Sequence, residues 1–84
     1  MTWGVVWTRP AVDDLRRLDR KLTDRIRAAV RRFATTGHGD VKRLQGIDPP
    51  EWRLRVGDWR VLFVFDHPTS TLHVLHVLSR GDAY

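Results

Sequence analysis

The chain has 84 residues and no cysteine, which excludes disulfides, thiolate metal sites and a cysteine nucleophile. No apolar run approaches the roughly 20 residues of a membrane-spanning helix, and the first residues do not resemble a signal peptide. We therefore expect one soluble, cytoplasmic domain over residues 1–84.

The charge balance is basic, with 15 Lys and Arg against 10 Asp and Glu, and every basic residue except Lys21 and Lys42 is an arginine. Arginine favours planar, bidentate contacts to phosphate or carboxylate. The composition therefore indicates nucleic acid or an acidic protein as a partner. Many of the basic residues fall between Arg16 and Arg32, where they also fit the solvent-exposed side of a helix.

A strand and a helical region come first along the chain. Residues 3–8 are β-branched and aromatic, as is typical of a strand. From residue 11 to residue 33 apolar side chains recur at steps of three or four, which predicts helix with one buried face. One helix of about 25 residues or two shorter helices fit this pattern, and Asp19 and Thr23 are candidate N-caps of a second helix. Gly37 offers positive φ to end the helical region.

The rest of the chain has the pattern of β-strands. After the helical region we predict a loop, with at most a short extended piece at residues 41–44. Three strands are predicted at about residues 51–56, 59–66 and 71–79. This order predicts an α+β fold: a mostly antiparallel, four-stranded sheet (β-α-α-β-β-β) with a helical hairpin packed on one face.

The turn between the second and third predicted strands determines their register. Gly57-Asp58 fits a two-residue hairpin loop with glycine at the first central position. Residues directly opposite each other then share a face of the sheet. The predicted pairs are Val56 with Trp59, Arg55 with Arg60, Leu54 with Val61, and Arg53 with Leu62.

This register gives the hairpin an apolar face and a basic face. The apolar side chains, which would cover the helices, are Trp52, Leu54, Val56, Trp59, Val61, Phe63 and Phe65. The basic face carries Arg53, Arg55 and Arg60 above Leu62 and Val64. Two arginines opposed across a hairpin repel each other, which indicates an anion held between them. The alternative is that the guanidinium groups extend into water or pair with the carboxylates of Asp48, Glu51 or Asp58.

The last predicted strand is apolar on both sides, so its orientation is ambiguous. If Leu75 and Val77 join the core, the side chains that join the basic face are Leu72, Val74, His76 and Arg80. Tyr84 would then lie at the rim of this face. A groove with arginines and a tyrosine suits RNA, with guanidinium groups on phosphates and the ring on a base.

The four histidines lack metal-ligand spacing. His73 and His76 are three residues apart, which predicts that they lie on opposite faces of a strand. We therefore expect no metal site and no cofactor, and His76 is a secondary candidate for proton transfer.

Three segments are distinctive: KRLQG at 42–46, WRLRVGDWRVLF at 52–63 and HVLHVLSRGDAY at 73–84. Together they resemble the RelE/ParE superfamily of toxins from type II toxin–antitoxin systems. The resemblance covers nearly the whole chain and implies a single RelE-like toxin domain over residues 1–84. It also implies an antitoxin that wraps and neutralises the toxin and, in the RelE branch, cleavage of mRNA in the ribosomal A site.

The resemblance also implies which residues are functional. The matching positions in this sequence are the basic pair Arg53 and Arg55, Arg60 after the turn, Arg80 at the end of the last strand, and the closing Tyr84. Ser79 is a departure, because similar sequences often have histidine before the final arginine.

These residues suit cleavage of RNA without a metal ion. The 2′-OH attacks the adjacent phosphate, and positive groups stabilise the charge that develops on its oxygens. Arginine stays protonated and is a poor base, so Tyr84 is a candidate either for proton transfer or for stacking on a base. We expect an mRNA endoribonuclease that acts at the ribosome. A ParE-like, non-catalytic inhibitor of DNA gyrase and a degenerate toxin that only binds antitoxin or RNA are the alternatives.

The partners follow from the basic face. A basic groove with an apolar floor suits an acidic, amphipathic antitoxin segment that is disordered until it binds. The other expected partners are mRNA and the ribosome. No membrane is expected, and DNA would be contacted only through the antitoxin.

Overall fold

The computed structural model describes residues 2–46 and 48–81. Its elements in chain order are β1 (Gly4–Trp7), α1 (Arg9–Arg16), α2 (Arg20–Thr36), β2 (Asp40–Arg43), β3 (Trp52–Val56), β4 (Trp59–Asp66) and β5 (Thr71–Ser79). The described strands form one sheet in the order β1-β5-β4-β3-β2, in which β1 and β5 are parallel and the other neighbours antiparallel. The α+β class, the pair of helices and the mostly antiparallel sheet are confirmed.

The sheet has five strands where the sequence predicted four. The additional strand is β2, which pairs antiparallel with β3 from Asp40 opposite Arg55 to Arg43 opposite Trp52. Only Val41 among its residues is apolar, so the local pattern favoured a loop. The strand forms because the outer edge of β3 offers backbone N–H and C=O groups that need partners.

The helical region consists of two helices, which answers the question that the sequence left open. α1 ends at Arg16, and Asp19 is the N-cap of α2 because its side chain accepts the Leu22 N–H at 2.7 Å. α2 ends at Thr36, and Gly37 caps it with a φ of 77°, in the left-handed region that favours glycine. No described helix is long and apolar enough to cross a membrane.

Replacing Asp19 with alanine is expected to lower the free energy of unfolding by about 1 kcal/mol, because the Leu22 N–H loses its acceptor. Urea unfolding followed by circular dichroism measures the change. Asp24→Ala is the matched control, since this aspartate of the same helix makes an exposed ion pair with Arg20 at 3.9 Å. The control should cost less than about 0.5 kcal/mol, and equal losses in the two variants would contradict the capping role.

The β3–β4 hairpin has the predicted register, and all four predicted pairs are confirmed. The most buried members of its apolar face, each at most 6% exposed, are Leu54, Val56, Val61 and Phe63. The partly buried rings that pack against them are those of Trp52, Trp59 and Phe65. Ala11 and Leu15 of α1 and Ile26 of α2 belong to the same core, so the apolar face covers the helices as predicted.

A bulge in β5 determines the orientation of that strand, which the sequence left ambiguous. Leu62 lies opposite His76 and the next residue of β4, Phe63, lies opposite Val74, so Leu75 has no partner on β4. The extra residue shifts the alternation. The side chains that β5 buries in the core are Leu72, Val74 and Val77. The prediction that put Leu72 and Val74 on the basic face is therefore wrong.

The same bulge brings two histidines to one side of the sheet. His73 lies opposite Val64 and His76 lies opposite Leu62, and both of these β4 residues belong to the basic face. The prediction that separated His73 and His76 is wrong, because the two-residue alternation does not continue through a bulge.

Candidate functional site

A cavity of about 440 Å³ opens at the basic face of the sheet. We call it the cationic concavity, and its lining residues are Lys42, Arg43, Leu44, Gln45, Arg53 and Arg60. β2, the start of the β2–β3 connection, β3 and β4 each contribute to it. Four of the six lining side chains carry a positive charge, which makes the concavity suitable for an anion.

Among the described residues, Arg60 is the buried charged residue, with 8% exposure. Its Nη1 donates to the backbone carbonyls of Gly57 and Trp59, both at 3.2 Å. No carboxylate among the described residues lies within 4.0 Å of its guanidinium nitrogens. A buried cation without a counter-ion is costly, and an anion bound in the concavity would offset that cost.

Arg53 lies on the neighbouring strand and, unlike Arg60, has a carboxylate partner among the described residues. Its Nη1 lies 3.6 Å from Oδ1 of Asp40 and donates to the Asp40 carbonyl at 3.4 Å. The Arg53 side chain is 16% exposed, but the Asp40 side chain is 58% exposed, so water screens this pair and leaves it weak. The expected alternative partners, which do not pair with an arginine in the described structure, are Asp48, Glu51 and Asp58.

Arg55 lies directly opposite Arg60, as predicted. Both guanidinium groups donate to the same carbonyl, that of Gly57, each at 3.2 Å. Arg55 is exposed and does not line the cationic concavity; it borders a second groove of about 380 Å³ between α2 and β3. Two like charges are therefore held side by side at the hairpin turn, with one of them in the concavity.

Arg80 follows β5, and its backbone N–H donates to the Asp58 carbonyl at 2.8 Å. This bond ties the end of β5 to the β3–β4 turn. The Arg80 side chain is exposed and contacts no other described polar group. Tyr84, the fifth predicted site residue, lies outside the described residues.

The structure thus brings Arg53 and Arg60 into one concavity and adds two cations that sequence reasoning missed, Lys42 and Arg43. These two residues lie on β2, where the sequence predicted a loop with at most a short extended piece at residues 41–44 and no strand partner, so the direction of their side chains could not be derived. The signal was their occurrence as a basic pair in KRLQG, one of the segments that carry the resemblance.

The lining of the concavity suits electrostatic stabilisation better than proton transfer. None of its described lining residues is a histidine, aspartate or glutamate. Arginine and lysine can bind and orient phosphoryl oxygens, but arginine does not release a proton. The described residues also contain no group of three His, Cys, Asp or Glu that could hold a metal ion.

The fold is similar to three solved structures of toxin–antitoxin complexes. The archaeal RelE–RelB complex from Pyrococcus horikoshii OT3 matches with a TM-score of 0.78 and 24% identity over 99% of this chain and 100% of that chain. The RelBE2 complex from Mycobacterium tuberculosis matches with a TM-score of 0.68 and 26% identity, over 98% of this chain and 95% of that chain. The RelB–RelE complex from Methanococcus jannaschii matches with a TM-score of 0.74 and 20% identity, over 94% of each chain.

A comparison with curated proteins finds no match for this chain. A family model does match, that of the ParE toxin of the type II toxin–antitoxin system parDE, and it covers residues 5–84. The match includes both helices, every strand of the sheet except the first residue of β1, and every residue of the cationic concavity. The chain therefore belongs to the ParE toxin family, within the RelE/ParE superfamily, and is a toxin of a type II toxin–antitoxin system.

Proposed function

We propose that this toxin is a metal-independent endoribonuclease that cleaves mRNA during translation. The observation that carries the proposal is the cationic concavity, in which buried Arg60 has no carboxylate partner among the described residues. The similar folds in RelE–RelB complexes support the same function.

The phosphate at the cleavage point would bind between Arg53 and Arg60, with Lys42 and Arg43 at the wall of the concavity. The ribose 2′-oxygen attacks the phosphorus, the bond to the 5′-oxygen breaks, and a 2′,3′-cyclic phosphate and a 5′-OH result. Negative charge develops on the phosphoryl oxygens in the transition state. Cations already in position stabilise that charge without having to reorganise.

Arg55, Arg80 and Tyr84 complete the proposed catalytic set. Arg55 and Arg80 lie at the same end of the hairpin, around the Gly57-Asp58 turn. We assign both of them to binding of the flanking phosphates of the RNA strand. Tyr84 is assigned either to stacking on a nucleobase or to proton transfer.

The ribosome is the proposed site of action. In-line attack needs the 2′-oxygen, the phosphorus and the 5′-oxygen to lie nearly on one line, and holding them so removes much of the barrier. A chain of 84 residues has little surface for this task, and the ribosome can hold the mRNA instead. This site of action implies a cytoplasmic toxin.

The proposed protein partner is an acidic antitoxin. The three similar structures are complexes in which a RelE chain is bound to a RelB antitoxin. For this chain, a net charge of +5 and the four cations that line the concavity favour a segment rich in aspartate and glutamate. Any contact with DNA would be made by that antitoxin.

Inhibition of DNA gyrase is the second candidate function. The family match to ParE toxins favours it, as does the lack of a described proton acceptor in the lining of the concavity. A toxin that acts by binding alone would use the same cations to hold an acidic surface of its target.

Expression in growing cells with mapping of mRNA ends separates the two functions. The nuclease predicts new ends inside translated codons, with a 5′-OH on the downstream fragment. Gyrase inhibition predicts intact messages together with broken or stalled DNA, and this result would overturn the proposal.

A further inference from the structure

The outer edge of β5 is completed by two different elements. β1 pairs with the first part of β5 only, from Gly4 opposite Thr71 to Trp7 opposite Val74. Beyond that point α1 runs alongside, and Asp14 accepts the backbone N–H of Val77 at 2.9 Å. A helix carboxylate therefore takes the place of a neighbouring strand at this edge, which fixes its position relative to β5.

The same Asp14 oxygen also contacts a histidine. Oδ2 of Asp14 lies 3.0 Å from Nδ1 of His76. An ionised carboxylate can only accept, so Nδ1 carries the hydrogen and Nε2 of the neutral ring carries the lone pair. This arrangement, a carboxylate that orients a histidine, is the one that makes a histidine an effective proton acceptor.

The two partners differ in exposure in the way that this role requires. The Asp14 side chain is 11% exposed and the His76 side chain 47% exposed. Within residues 2–46 and 48–81, Nε2 of His76 has no hydrogen-bond partner. The orienting group is thus sheltered and the ring is accessible to substrate.

His76 also lies next to the cationic concavity in the sheet. One row across the strands runs from Lys42 through Arg53 and Leu62 to His76. Arg53 and His76 are two strand spacings apart, about 10 Å between Cα atoms. Arg60 is a diagonal neighbour of His76, at about 7–8 Å. A nucleotide above Leu62 would have its phosphate at the arginines and its ribose toward His76.

We propose that His76, oriented by Asp14, is the proton acceptor of the RNA cleavage reaction; this inference rests on the proposed function. Nε2 takes the proton of the 2′-OH as the 2′-oxygen forms its bond to phosphorus. The 5′-oxygen leaves with the electron pair of the broken bond and takes a proton from water. The imidazolium then returns its proton to the solvent, so the protein ends unchanged.

The charged groups around His76 come from two elements. α1 contributes Asp14, and Arg17, the residue that follows α1, has its Nη1 3.8 Å from Oδ1 of Asp14. β4 contributes Arg60 on the diagonal. Protonation of His76 removes the lone pair that accepts the 2′ proton, so the cleavage rate should fall toward acid pH.

The test measures RNA cleavage on translating ribosomes over a range of pH. His76→Gln should cleave roughly 100-fold more slowly than the unmodified protein and lose the acid limb of the pH–rate profile. Free imidazole should restore part of the activity of His76→Ala, because it supplies the missing acceptor. The melting temperatures of both variants are compared with that of the parent.

His73→Gln is the matched control. His73 lies on the same strand and the same side of the sheet, contacts Thr71 at 3.0 Å, and lies 3.4 Å from Asp66. It should keep its rate and its pH profile. If folded His76→Gln cleaves at the rate of the control, or if imidazole does not rescue His76→Ala, the role of His76 is overturned and the proposed function is not. A parent protein that cleaves no RNA would overturn the proposed function as well.

Discussion

Replacing both Arg60 and Arg80 with alanine is expected to abolish growth arrest on expression of the toxin. Arg60 accounts for most of the loss, because it is the buried cation of the concavity. Removing one preorganised donor from a developing oxyanion slows a reaction by about 100- to 1,000-fold, so Arg60→Ala alone should show most of the effect. Growth curves measure the loss of growth arrest, and the yield of mRNA ends within codons measures the loss of cleavage.

The fold should survive the Arg60 substitution. The guanidinium group donates to the carbonyls of Gly57 and Trp59, and a neutral hydrogen bond adds only about 1 kcal/mol to stability. Removing a buried charge that has no described counter-ion offsets part of that loss. Antitoxin binding should also persist, since the acidic partner would meet several other cations.

Arg16→Ala is the control for loss of positive charge. Arg16 ends α1, its side chain is 71% exposed, and its described ion pair is with Asp13 at 4.0 Å. It should leave growth arrest unchanged. Full toxicity of the double variant, or equal loss in Arg16→Ala, would show that cleavage does not depend on the cationic concavity.

The β3–β4 hairpin could be predicted from the sequence because local rules determine it completely. Gly57 at the turn, with φ of 61°, sets the loop length, and the alternation of Leu54 and Val56 with arginines sets which side faces the core. A slip by one residue would turn every side chain to the wrong face. The opposition of Arg55 and Arg60 follows from these two facts alone.

The orientation of β5 stayed ambiguous because its sequence is apolar on both sides, and the arrangement considered from the sequence was wrong for Leu72, Val74 and Leu75. Such a strand does not indicate where its alternation changes. The bulge at Leu75 lets Val74 and Val77 both face the core. Burial of both side chains against the helices stabilises this arrangement, but no local sequence pattern predicts it. β2 was anticipated only as a short extended piece at residues 41–44 for a related reason: residues 44–51 separate it from its partner β3, and that partner stabilises the strand more than its own residues do.

The contact between Asp14 and His76 could not be predicted either. The two residues are 62 positions apart, and each looks ordinary locally: Asp14 resembles other helix surface residues, and His76 other strand residues. The contact depends on α1 replacing β1 at the edge of β5, which is a property of the assembled sheet. The same holds for Lys42 and Arg43, whose direction depends on the pairing of β2.

Phe63→Ala is expected to cause the largest loss of stability, about 3–5 kcal/mol. Phe63 is 2% exposed at the centre of the apolar face, with its ring centroid 5.6 Å from that of Phe33 and 5.3 Å from that of Phe65. The neighbouring strands β3 and β5 hold the backbone, so the cavity left by the ring cannot collapse fully. Urea unfolding measures the change, with Val6→Ala, 42% exposed on β1, as a control expected within about 0.5 kcal/mol of the parent.

This loss also separates folding from chemistry in the toxicity assay. Small domains have a total stability of about 5–15 kcal/mol, and a chain of this size is expected near the lower end of that range. Phe63→Ala should therefore lose growth arrest together with most of its stability, seen as a large fall of its urea midpoint, whereas Arg60→Ala should lose growth arrest and keep a urea midpoint close to that of the parent. A Phe63→Ala protein destabilised by less than about 1 kcal/mol would contradict a closely packed core around this ring.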